Sequence, residues 1–140
     1  LALRRELVEL YFDYIHDQFH SIYHRPSFID DMINGRVKEI VLFAMFALAA
    51  RFSTNEAFAG TDPRERGEVY RAASERLLSI RNLSSTTVQA CLLLGAYAAA
   101  NGETEVENLY YGMAGRMCLA LDLANCPVDD IVEREVNIRI

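Results

Sequence analysis

His16, His20 and His24 are the only histidines in the chain, and they stand four residues apart, twice. Asp13 and Asp17 are interleaved with them. On one unbroken helix, positions i, i+4 and i+8 share a face. Imidazoles and carboxylates on such a face are the donor set of a zinc site or of an acid–base cluster. That chemistry requires the helix to continue through His24. Pro26 disfavours helical geometry at Arg25, and Ser21, Ile22 and Tyr23 are mediocre helix formers. A first helix is therefore expected over residues 3–18, with His24 in the turn beyond it. The three histidines are read as structural or surface residues, and no metal ligand or catalytic residue is assigned.

Other chemistry is equally thin. The three cysteines, Cys91, Cys118 and Cys126, show no C-x-x-C spacing, which argues against a structural zinc site or a paired redox motif. No P-loop, dinucleotide fingerprint, H-E-x-x-H or nucleophile elbow occurs. The pairs Asp30-Asp31 and Asp129-Asp130 sit at expected helix starts, where negative charge is favourable. A net charge of −6 repels phosphate backbones, so no direct nucleic-acid contact is expected. The apolar run 40–50 is too short to cross a bilayer. The uncharged run 82–102 is rich in Ser, Thr and Asn, and no membrane span is expected.

The elements that must position these residues read as helices. Leu7, Leu10, Tyr11, Tyr14 and Ile15 repeat at helical spacing, with charged residues filling the other face. Pro26 opens a second helix, with Ser27 and Asp30 as a capping pair, and Asn34-Gly35 stops it. Residues 37–52 are apolar all round, which predicts a third helix in the middle of the packing. Asp62-Pro63 is expected to start a fourth, with Tyr70, Ala73, Leu77 and Ile80 as its buried stripe and its Arg/Glu run solvated. Capping patterns at Thr86–Gln89, Thr104–Glu107 and Asp130–Glu133 open a fifth, a sixth (to about residue 123) and a seventh. Gly95, Gly112 and Gly115 are expected to allow close helix packing. Short connections imply antiparallel neighbours. The expected fold is all-α, with about seven helices and no sheet.

Several of these residues also carry a family resemblance. Tyr11, Phe12, His16 and Phe19, followed by His24, Pro26 and Phe28, resemble the opening of the fungal-specific transcription factor domain. This is the middle homology region of fungal zinc binuclear cluster (Zn2Cys6) regulators. His20 stands where that family usually has Pro. The run 85–94 is similar to its fifth-helix signature. Gly112, Ala114, Arg116 and Met117 resemble a later element, and Glu135 falls in the Glu-rich run that follows.

The resemblance implies a nuclear regulatory region that controls transcription without contacting DNA. Zinc is implied only for a separate DNA-binding domain, and no cofactor for these residues. Residues 1–140 are read as one helical regulatory domain, a fragment of a larger one. Its implied partners are the rest of its own chain, a small-molecule effector or a coregulator, with a homodimer possible for the full-length protein. An effector cleft is placed beside the third helix and Tyr97, Tyr110 and Tyr111, since aromatics with a few hydroxyls suit small-molecule sites. The opposing reading makes these tyrosines packed core residues. A pairing of Arg116 with Glu135 across two helices is weighed against a surface role for both. The alternative function is a structural or dimerising helical scaffold with no ligand. An enzyme ranks below both.

Overall fold

The third expected helix is the axis of the molecule. In the computed structural model, which describes residues 1–16, 22–122, 135–136 and 138–140, this helix is α3 (Glu39–Ala49), extended by a 3-10 turn at Ala50–Phe52. Around it stand α1 (Ala2–Tyr14), α2 (Arg25–Ile33), α4 (Glu68–Leu77), α5 (Ser85–Ala100) and α6 (Thr104–Leu121). Among the described residues there is no strand. α3 packs against α1, α4 and α5, while α6 packs on α5. A helix touched from three sides must be apolar all round. Ala44, Met45, Phe46, Leu48 and Ala49 are accordingly almost wholly buried.

Two pairs are antiparallel hairpins. In the first, Gly67 meets Ala47 while Ser74 meets Ile40. In the second, Gly95 meets Tyr111, and Val88 and Cys91 cluster with Ala114 and Met117. In both, contacts pair positions equidistant from the connecting segment. The α5–α6 turn is made by Asn101 and by Gly102 at φ +73°.

The boundaries differ from expectation at informative places. α1 stops at Tyr14, four residues before position 18, because the N–H groups of Ile15 and His16 both converge on the Tyr11 carbonyl at 2.9 Å. That closes the i to i−4 ladder. Asp62 caps a series of turns rather than a helix, its Oδ1 accepting from the Arg64 N–H at 2.8 Å. α4 proper begins only after Gly67. A Cβ at Gly67 would stand 2.4 Å from the Ala47 carbonyl oxygen, so the turns deliver a bare backbone onto α3. α5 is capped by Ser84, whose Oγ accepts from the Thr87 N–H, not by Thr86. Ser27 does not cap with Asp30; its Oγ lies 2.7 Å from His24 Nδ1. The start expected for a seventh helix, Asp130, lies outside the described residues, although Glu135, Val136, Ile138 and Arg139 are helical.

The buried stripe of α4 needs correction. Leu77 and Ile80 are exposed, and Ser74 is the buried residue, donating from Oγ to the Ile40 carbonyl at 2.8 Å. A small hydroxyl there lets α4 lie close to α3 while its bond is satisfied. The glycine expectation also divides. Gly95 does allow close packing, since a Cβ there would stand 2.5 Å from the Tyr111 ring. At Gly112 and Gly115 no described atom lies within 4 Å of a built Cβ.

The long irregular stretch after α3 is held at its base. Ser53 Oγ and Asn55 Nδ2 both donate to the Glu6 carboxylate of α1, at 2.7 and 2.9 Å. Arg66 Nη1 donates to the Ser53 carbonyl at 2.7 Å.

Candidate functional site

The residues of the first helix and the following turn form an aromatic cluster. Tyr11 and Phe12 are buried, with ring centroids 5.2 Å apart. Phe28 of α2 stands 5.7 Å from Phe12 and 5.0 Å from Tyr23. His16 packs its ring 5.1 Å from Phe12 and 6.3 Å from Tyr11. The guanidinium of Arg25 lies over Phe12 while donating to Asp13 at 2.7 Å. Edge-to-face pairs of this kind add about 0.5–1.5 kcal/mol each beyond burial, so this cluster clamps α2 onto α1. His24 and Pro26 are exposed at the start of α2. Phe19 and His20 lie outside the described residues. Among the described residues no three His, Cys, Asp or Glu side chains are grouped to hold a metal.

Two of the tyrosines expected beside an effector cleft, Tyr97 and Tyr110, meet the charge run of α4. Tyr97, buried on α5, donates its O–H to Glu68 Oε1 at 2.6 Å. Tyr110 on α6 donates to Glu75 Oε1 at 2.7 Å. Arg71 lies between the two glutamates and pairs with both. The run is thus not a wholly solvated face. One side of it is a polar seam, Tyr97–Glu68–Arg71–Glu75–Tyr110, that fastens α4 to the α5–α6 hairpin. Burial, and then donation to a carboxylate, push the Tyr97 phenol up to about 12. The Tyr97 hydroxyl holds Glu68 below the usual carboxylate range; burial opposes it, and Arg71 adds to the lowering. Tyr111 lies across Gly95, away from the seam.

The later motif positions behave as packing residues. Ala114 and Met117 are buried against Val88 and Cys91. Burial pushes the Cys91 thiol up to about 11. Arg116 is exposed, and no ion pair joins it to Glu135, whose carboxylate lies 3.9 Å from Arg139.

A cleft of about 430 Å³ opens elsewhere, between α2, the segment leading into α3, and the first turns of α5. Its floor is Tyr23, Phe28 and Val41, all buried. Tyr23 donates its O–H to Gln89 Oε1 at 2.9 Å, tying the α2 side to α5. Burial pushes the Tyr23 phenol strongly up. Arg36 bridges Asp31 and Asp30 at 2.7 and 2.8 Å on one wall. Lys38, the only lysine of the chain, is the N-cap residue of α3 and borders the cleft. Among the described residues it makes no ion pair. The cleft combines an apolar floor with walls that are mostly polar and charged, among them His24, Ser27, Asp30, Asp31, Arg36, Lys38, Thr86 and Gln89. Sequence reasoning missed it because its walls come from three separated segments. The one local signal was the Tyr23 to Phe28 turn.

Comparison with known proteins places this architecture. Residues 8–138 match the family described as the fungal specific transcription factor domain. A transcriptional regulatory protein of Schizosaccharomyces pombe is 36% identical over 129 residues, covering 90% of this chain and 13% of that protein. A Zn(2)-C6 fungal-type transcription factor of Fusarium oxysporum f. sp. lycopersici is 28% identical over 124 residues, 86% of this chain and 12% of its own length. A second Schizosaccharomyces pombe transcriptional regulatory protein is 29% identical over 126 residues, 86% of this chain and 14% of that protein. The chain thus spans roughly an eighth of the length of these relatives. No solved structure matches it. With the aromatic cluster, the all-helical packing and a match over nearly its whole length, the chain belongs to the fungal-specific transcription factor domain family, whose curated relatives here are transcriptional regulators.

Proposed function

We propose that this region is the effector- or partner-sensing part of a nuclear transcription factor, controlling DNA-templated transcription without touching DNA itself. Any zinc in the full-length protein belongs to a separate DNA-binding domain. The observation that carries the reading is the cleft between α2, α3 and α5. Its walls come from elements that also pack on, or lead into, the central helix. A small molecule seated there contacts several helices at once. It can shift the helix arrangement only if it binds one arrangement better than the other. The acidic charge of −6 supports the absence of DNA contact, because there is no excess of cations to release counterions.

Filling the cleft tests the reading. Thr86 and Ser27 line it and are half-buried. In the full-length factor, Thr86→Trp and Ser27→Trp should abolish the response of a reporter to the inducing condition while promoter occupancy stays normal. The wild-type protein should gain thermal stability with a fraction of cell metabolites that leaves both variants unmoved, since a ligand stabilises the state it binds. A normal response in both well-folded variants would sink the proposal and favour the scaffold reading. Retardation of DNA by residues 1–140 at physiological salt would sink its second half.

A further inference from the structure

Arginine stands three residues before serine three times in succession, in Arg71-Ala-Ala-Ser74, Arg76-Leu-Leu-Ser79 and Arg81-Asn-Leu-Ser84. The fold separates the three. Ser74 is fully buried and donates to the Ile40 carbonyl at 2.8 Å, and its Arg71 is held by Glu68 and Glu75. Ser84 is half-buried as the N-cap of α5, with its Oγ committed to the Thr87 N–H. Ser79 is exposed in the segment between α4 and α5. Its Oγ accepts from the Arg81 N–H at 3.2 Å and donates to no described residue.

The neighbours of Ser79 are those that an arginine-directed kinase reads. Such an enzyme offers carboxylates to an arginine three residues before the acceptor and an apolar pocket to the residue after it, so charge pattern sets its choice of substrate. Arg76 is exposed, and among the described residues its side chain, like that of Arg81, makes no ion pair or hydrogen bond. Ile80, the residue after Ser79, is 73% exposed. Glu75, the nearest acidic group in sequence, is occupied by Tyr110 and Arg71. A kinase takes its substrate extended. Leu78 is extended already, at φ −71° and ψ 128°. Arg76 and Leu77 are the last residues of α4, and both are exposed. Freeing them breaks few buried contacts, which makes local opening inexpensive. The threonine counterpart, Arg51-Phe52-Ser53-Thr54, lacks these features. Arg51 donates to Asn101 at 3.3 Å, and the residue after Thr54 is Asn55, which binds Glu6.

We infer that Ser79 is a phosphorylation site for an arginine-directed serine kinase. The Ser79 Oγ attacks the γ-phosphorus of a nucleoside triphosphate that the kinase holds with Mg2+. The Oγ–phosphorus bond forms as the bond to the β,γ-bridging oxygen breaks, the catalytic Asp of the kinase takes the hydroxyl proton, and the nucleoside diphosphate leaves. The product carries a charge of about −1.5 to −2 at pH 7. That charge lies just past the C-terminal end of α4, where the helix dipole disfavours it. Ser79 does not line the cleft between α2, α3 and α5, so either proposal can fail alone.

The test treats the native full-length factor with Mg-ATP and the catalytic subunit of the cyclic-AMP-dependent protein kinase, and maps phosphate by mass spectrometry. Ser79 should be labelled, with Ser74 and Ser84 left unlabelled. Arg76→Ala and Ile80→Asp should each slow labelling of Ser79 by about tenfold or more, as expected when a charge-assisted contact or an apolar one to the kinase is lost. Both side chains are exposed, so the variants should keep the wild-type melting temperature. The factor isolated from growing cells should carry phosphate on the same serine. An unlabelled Ser79, labelling of Ser84 in its place, a rate unchanged by Arg76→Ala, or no phosphate on Ser79 in the factor from cells each overturns the inference.

Discussion

The Tyr97–Glu68 contact shows how one hydroxyl can give a surface helix its place. Tyr97 is buried and donates at 2.6 Å to a carboxylate that Arg71 also holds. Hydrogen bonds to charged groups contribute about 1.5–3 kcal/mol, and the half-exposed Glu68 side chain reduces that by solvent screening. Tyr97→Phe is therefore expected to cost about 1–2 kcal/mol. It also carries a pH signature. The folded state holds Glu68 below its ordinary range, so its contribution is present above the usual glutamate pKa of about 4.3. It is lost as pH falls through the lowered folded value. Urea midpoints should converge for wild type and Tyr97→Phe in acid and separate at neutral pH. Parallel curves would show that the bond is not coupled to ionisation. The histidines give a simpler expectation. Zinc should not raise the melting temperature, and a stoichiometric rise abolished by His20→Ala would reverse that reading.

At the scale of helices, the glycines separate packing from propensity. Gly67→Ala drives a Cβ against the Ala47 backbone carbonyl, which cannot rotate away. A loss of about 1–3 kcal/mol is expected from such overpacking. Gly95→Ala meets a tyrosine ring that can swing, so its loss should be smaller. Gly112→Ala and Gly115→Ala, on α6 with open space around them, should instead stabilise by roughly 0.5–1 kcal/mol through helix propensity. Denaturation midpoints of the four variants should rank in that order. These glycines also mark where sequence reading stops. The apolar run of α3 announced a central helix, and Asn101-Gly102 announced a turn. Which glycine touches a neighbour depends on helix rotation, which no local pattern records. The α4 stripe failed for the same reason. Leu77 and Ile80 sit at helical spacing from Tyr70 and Ala73, but the Glu68–Arg71–Glu75 seam turns another side of α4 inward so that Leu77 faces out, and α4 ends at Leu77, before Ile80.

Taken whole, the molecule hangs on α3, which touches α1, α4 and α5. Leu48 is fully buried there, and Leu48→Ala should cost about 2–5 kcal/mol. Circular dichroism and tyrosine fluorescence should report one shared unfolding transition at the lower midpoint. Separate transitions would mean that the α5–α6 hairpin folds independently of the rest. The motif residues of the first helix and turn stood out in sequence because they are close in the chain and chemically distinctive, while the packing of their rings on one another shows only in the fold. The cleft between α2, α3 and α5 was not legible, because Val41, Gln89 and Tyr23 meet only after three segments pack. Its border holds one more consequence. Lys38 is the only lysine in these 140 residues, so an acyl-transfer reagent or a lysine-directed modifying enzyme finds a single side-chain amine here. That amine sits where α3 begins, at the mouth of the cleft. A probe attached there would watch the cleft and the start of the central helix together. A cell that acylated it would remove the one lysine charge bordering the cleft.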